Sequence, residues 1–207
     1  MKNYYYLNLP SNPLKDANSL IEKHSKQVDL HDPYTMEPKE ILIDSILQTL
    51  SNIGLSINFI VFFKTYNSPG EQDLRTIHSD IKWNGTEWED LPFGINWEIS
   101  DRIAAKFQWW DMSAYPKLYP IEKLRSIETF AKLSGIHYGQ RHVAGVPPQA
   151  ILLDQADLLP GATLVRTDIP HSIIYKGFNR MSISIRFKEN ISWNDAVELF
   201  KPLMIQT

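Results

Sequence analysis

The 207-residue sequence contains no cysteine. Disulfides, thiolate metal sites, iron–sulfur clusters and a cysteine nucleophile are therefore excluded, and any metal must be held by histidine, aspartate or glutamate. An excess of one charge is also missing. The 21 basic residues stand against 24 acidic ones, a formal net charge of −3 with no long block of one sign. Nucleic-acid binding draws on concentrated positive charge, so no nucleic-acid partner is expected. Long apolar runs are absent as well. The longest, Ile53 to Phe63, is broken by Gly54, Ser56 and Asn58, short of the roughly 20 residues that a membrane helix needs. Met1 to Tyr6 lacks the apolar segment of a leader peptide. A cytoplasmic protein without membrane association is the expectation, and nothing in the sequence fixes its oligomeric state.

What is present suits one globular domain. The chain is 43% hydrophobic and 22% charged, long enough to bury a stable core without covalent staples. Residues 1–56 read as an N-terminal flank, polar and irregular to about residue 35, with a short helix near Ala17 to His24. A packing helix follows from Met36 to Ile53, with Leu42, Ile43, Ile46, Leu47, Leu50 and Ile53 at helical spacing. Thr35 is its candidate N-cap and Gly54 its stop. From Ile57 the period changes. Ile57 to Tyr66 reads as a buried strand, and Asn67 to Gly70 as a turn. Further strands are expected at Thr76–Ile81, Gly94–Ile99, Ala105–Trp110, Ala150–Leu153, Thr163–Thr167, Ser172–Tyr175 and Met181–Phe187. A helix at about 121–134 interrupts this core of 57–187, and 188–207 closes the chain with a helix over Trp193 to Met204. Many short strands between proline and glycine loops predict a mainly β fold with flanking helices (α+β), of the jelly-roll kind.

Two stretches carry chemistry. His78-Ser79-Asp80 lies in an expected strand, where residues two apart point the same way. An imidazole and a carboxylate then project together, and one more ligand would complete a two-histidine, one-carboxylate site for a divalent metal. The second stretch runs from Pro160 to Phe187 as strand, turn, His171, strand, glycine turn and an alternating strand. In that last strand Met181, Ile183, Ile185 and Phe187 share one face; Arg180, Ser182, Ser184 and Arg186 share the other. The polar face suits either a solvated sheet surface or a barrel interior holding a charged ligand, for which arginine is the natural carboxylate partner.

The order His78-x-Asp80, a distant His171, then Arg180 opening the last strand resembles the iron(II)- and 2-oxoglutarate-dependent oxygenase superfamily, whose fold is a double-stranded β-helix related to cupins. The stretches Ile77–Ile81, Gly94–Ile99 and Gly161–Phe187 are similar to compact bacterial and phage-encoded members. The resemblance covers roughly Phe59 to Phe187 and implies Fe(II) held by His78, Asp80 and His171. It implies 2-oxoglutarate bound through Arg180, and Arg186 near cosubstrate or substrate, as in the nucleobase-demethylating branch. A peptide side chain or small molecule would be hydroxylated by O2, with succinate and CO2 as co-products. Arg180 follows His171 closely for that family. The stretch from Asp80 to His171 is long, which leaves His137 and His142 as rival third ligands, although neither precedes an arginine-led strand.

Other residues admit two readings each. Trp83, Trp88, Trp97, Trp109 and Trp110, with Tyr115 and Tyr119, are core packing or a stacking wall for substrate. The Trp83–Pro92 loop is a candidate lid. His137 to His142 is a solvated connection or a substrate loop, and Tyr66, ending its strand, is a candidate to approach a cosubstrate. Two alternative functions remain: a catalytically silent β-helix binding module, and a cupin-type metal enzyme that does not use 2-oxoglutarate.

Overall fold

The aromatic and β-branched run after Gly54 forms the strand β3 (Ile57–Thr65), which lies beside the chain's last strand, β12 (Arg180–Phe187), in antiparallel register. The computed structural model describes residues 2–16, 34–36, 38–65, 77–83, 86–99, 105–114, 137–143, 150–175 and 180–206. Before β3 come β1 (Tyr4–Tyr6), β2 (Tyr34–Met36), α1 (Pro38–Ile41) and α2 (Asp44–Asn52). Between β3 and β12 lie β4 (Ile77–Trp83), β5 (Trp88–Asp90), β6 (Phe93–Glu98), β7 (Ala105–Asp111), β8 (His137–Val143), β9 (Ile151–Asp157), β10 (Gly161–Arg166) and β11 (His171–Tyr175). The helix α3 (Trp193–Phe200) and a 3-10 turn (Lys201–Leu203) follow.

Two antiparallel sheets result. One has the order β1-β10-β6-β12-β3-β2; the other runs β5-β4-β11-β7-β9, with β8 also paired to β4. The fold is mainly β, with few helices among the described residues.

Alternation along β12 decides which way each sheet face looks. Its apolar half, Ile183, Ile185 and Phe187, packs with Leu42, Ile46, Leu50, Trp193, Ala196 and Phe200, so the helices cover the outside of the first sheet. Burying each such side chain contributes about 1.5–3 kcal/mol. The polar half is buried as well: Ser182, Ser184 and Arg186 are at most 4% exposed. A solvated face is thereby excluded for these three, which face the space between the sheets. A second apolar cluster, Phe107, Trp109, Ala156, Leu158 and Val165, joins the two sheets from within. Tyr4 of β1 stacks on Trp109, with centroids 5.7 Å apart.

Several expectations need correction. The helix over Met36 to Ile53 is two helices, because Leu42 leaves helical geometry to bridge Leu14 and Ile43 is extended. Burial of Leu42 in the core outweighs local helix propensity there. Thr35 is no N-cap: it lies in β2 opposite Val61. Gly54 does end α2, with φ +82°, a conformation that favours glycine. The Trp83–Pro92 loop contains β5, which folds back on β4. His137 to His142 is strand β8, paired along all of β4, and not a loop. The N-terminal stretch contributes β1 to a sheet edge. The C-terminal helix stops at Phe200, where Pro202 follows in a 3-10 turn. The expected helices near 17–24 and 121–134, the 67–70 turn, Tyr66, Tyr115 and Tyr119 lie outside the described residues.

Candidate metal centre

β4 and β11 register at His78 opposite His171, so the two stretches that carry histidine meet side by side although far apart in sequence. Asp80, two residues on from His78, shares its face. One ligand atom from each of His78, Asp80 and His171 lies within 4.8 Å of the others. Nε2 of His78 stands 3.9 Å from Oδ1 of Asp80. The imidazole rings are 4.4 Å apart at 62°. With metal–ligand bonds of about 2.0–2.2 Å, two donors on one ion stand at most about 4.4 Å apart. The three donors lie within 4.8 Å of one another, close enough that small side-chain adjustments would bring them onto one ion.

The surroundings fix the donor atoms. Nδ1 of His171 is 2.9 Å from the Ile169 carbonyl oxygen. A carbonyl can only accept, so Nδ1 is the donor and Nε2 is the nitrogen that would coordinate a cation, the usual arrangement of a metal-binding histidine. Phe107 stacks on the His171 ring at 4.9 Å and holds its plane. Asp80 is 1% exposed, and the Arg186 guanidinium donates through Nη2 to its Oδ2. The guanidinium is always charged and favours a carboxylate beside it. Oδ1 is left on the side of the histidines. His78, at 17% side-chain exposure, is the most open of the three.

Arg186 itself depends on β6. A Cβ at Gly94 would fall 1.7 Å from its Nη1. Glycine inside a strand often marks such a close approach. Beside it on the interior, Ser184 donates to Asn96 Oδ1 at 2.6 Å. Glu98, 1% exposed, lies opposite Ser182.

The sequence-derived candidates thus divide. His78, Asp80 and His171 come together, and Arg186 joins them through Asp80. Arg180 opens β12 opposite Thr65; its side chain lies outside the described residues. The same holds for the side chains of the rivals His137 and His142, whose backbones lie in β8, with His142 opposite His78. Trp97, Trp109 and Trp110 are core residues, at most 7% exposed. Their indole N–H groups donate to the Ser11 carbonyl, the Arg166 carbonyl and Ser172 Oγ. Trp83's side chain lies outside the described residues. Sequence reasoning missed the Arg186–Asp80 pair and the space that Gly94 leaves for it. The one available signal was a glycine inside a strand whose neighbours are large.

No family model, curated protein or solved structure matches the chain.

Proposed function

We propose that the chain is an Fe(II)- and 2-oxoglutarate-dependent dioxygenase with a double-stranded β-helix core, hydroxylating a C–H bond of a peptide side chain or small molecule. One observation carries the reading: His78, Asp80 and His171 converge on the interior face of a two-sheet β fold with their donor atoms 4.8 Å apart or less. Two neutral imidazoles and a carboxylate leave open positions on a non-haem iron. The winding of the chain supports the fold. Strands β3, β6, β10 and β12 lie in one sheet, while β4, β7, β9 and β11 lie in the other, as a double-sheet jelly roll requires.

When bound, Fe(II) with 2-oxoglutarate supplies oxidative decarboxylation coupled to C–H oxidation, with succinate and CO2 as co-products. The chain's own residues have simpler tasks. His78 and His171 offer lone pairs. Arg186 holds Asp80 as an anion and turns Oδ1 toward the histidines. Its positive charge offsets the negative charge of Asp80, so a divalent ion bound here keeps its attraction for an anionic ligand. Arg180 is assigned to the far carboxylate of that ligand.

The test is an anaerobic titration. A weak visible charge-transfer band is expected only when Fe(II) and 2-oxoglutarate are both present, and succinate forms under air with a substrate. Arg180→Ala then weakens 2-oxoglutarate binding sharply; an unchanged affinity favours a cupin-type enzyme. The buried Asp80–Arg186 pair favours one other reading, because a carboxylate neutralised by arginine also suits a metal-free binding module. No band and no divalent-ion binding would decide for that module.

A further inference from the structure

Thr167, 0% exposed, lies in the short segment that joins β10 to β11 and offers no ligand to the site. Three hydrogen bonds close a ring through it. The Asp80 N–H donates to the Thr167 carbonyl at 2.9 Å, the Thr167 hydroxyl donates to the Leu91 carbonyl at 2.6 Å, and the Leu91 N–H donates to the Asp80 carbonyl at 3.0 Å. The Thr167 N–H adds a bond to the Pro92 carbonyl at 3.1 Å. Among the described residues, β11 and β4 register at the single pair His78 and His171. At Asp80, Thr167 takes over as the backbone partner. Two residues further along the same segment, the Ile169 carbonyl accepts from Nδ1 of His171. One stretch therefore holds the backbone of one ligand and the ring of another.

We propose that the Thr167 hydroxyl positions Asp80 and His171 relative to each other, and so sets the divalent-metal affinity of the site. The proposal rests on reading that site as a metal centre. Of the three bonds in the ring, the one from Oγ1 alone depends on the side chain. Its loss leaves the buried Leu91 carbonyl without that donor and opens the ring at that one bond, while the Thr167 N–H still holds Pro92. Asp80, bonded to Thr167 and Leu91, then sits between two segments held together by one bond where there were two. Metal–ligand distances in a formed site lie within about 0.2 Å of their ordinary values, so binding depends on how firmly Asp80 is held beside the histidines. Partners outside the ligand set typically change metal affinity by roughly 10- to 100-fold.

The experiment titrates the metal-free full chain with Co(II), read by its visible absorption, for the wild type, Thr167→Val and Thr167→Ser. The valine keeps the shape and loses the hydroxyl; the serine keeps the hydroxyl. Valine is expected to weaken Co(II) binding by roughly 10- to 100-fold and to alter the absorption spectrum, with serine close to the wild type. Equal binding by the valine variant overturns the proposal alone, and so does a serine variant as weak as valine. If the valine variant does not fold, Thr167→Ser against Thr167→Ala reads the same hydroxyl: a weaker alanine supports the proposal and equal affinities overturn it. A wild type that takes up no Co(II) overturns both the proposal and the metal-centre reading beneath it.

Discussion

Arg186 of β12 crosses the interior to Asp80 of β4, and the two form a buried ion pair that joins the helix-backed sheet to the sheet that carries the candidate metal ligands. The pair ties the best-buried candidate ligand to a charge on the opposite wall. It also makes position 94 sensitive, since the guanidinium fills the space where a side chain would begin.

Gly94→Ala should therefore displace the guanidinium. A Cβ there meets Nη1 at 1.7 Å and the Ile185 carbonyl oxygen at 3.0 Å. The expected loss of stability is about 3–5 kcal/mol, the range for a buried pair that is broken, measured by urea unfolding. A variant within about 0.5 kcal/mol of the wild type would contradict the close approach.

Arg186→Met alone leaves Asp80 buried without its countercharge and should cost about 3–5 kcal/mol. Adding Asp80→Asn removes the orphaned charge, and the double variant should be more stable than the arginine variant. Four unfolding curves complete this cycle. Additive losses would mean that the two side chains do not interact.

His78→Ala should separate binding from folding, because His78 is the most exposed of the three candidate ligands. Divalent-ion affinity is expected to fall by more than the roughly 100-fold that an outer partner costs at most. The thermal midpoint of the metal-free chain should move by only a few degrees, as about 1 kcal/mol shifts it by about 2–4 °C at this size. Isothermal titration with Mn(II) and a thermal melt read the two quantities. An unchanged Mn(II) affinity would remove His78 from the site.

Ser184→Ala removes the donor to Asn96 Oδ1 in the interior and should cost about 1–3 kcal/mol. Leu159→Ala, at a residue 49% exposed, should stay within about 0.5 kcal/mol of the wild type. Urea unfolding of the pair tests whether the polar face of β12 is enclosed. Equal, negligible losses would place Ser184 in solvent.

Local pattern made part of this legible. Period-two alternation in Met181–Phe187 gave the strand and its two faces, and His-x-Asp on a strand put two donors together. Which face of β12 looks inward did not follow, because alternation is the same for a solvated face and a polar interior. Only the packing of Ile183 and Ile185 against α2 and α3 decides it. The Asp80–Arg186 pair was equally hidden, since periodicity says nothing about which strand lies across from which. β5 and β8 look like loops in sequence, because Glu89-Asp90 and His137-Tyr138-Gly139 lack a run of β-branched residues. Pairing with β4 supplies what propensity does not. The helix broke at Leu42 because a bridge to Leu14, distant in sequence, took that residue's backbone.

Diffraction at the manganese edge, from crystals grown with Mn(II) and N-oxalylglycine, tests the proposed metal site most directly. The expected result is one anomalous peak bonded to Nε2 of His78, Oδ1 of Asp80 and Nε2 of His171, with the dicarboxylate on the same ion. A fully occupied peak elsewhere, or none, with Arg186 still paired to Asp80, would contradict it.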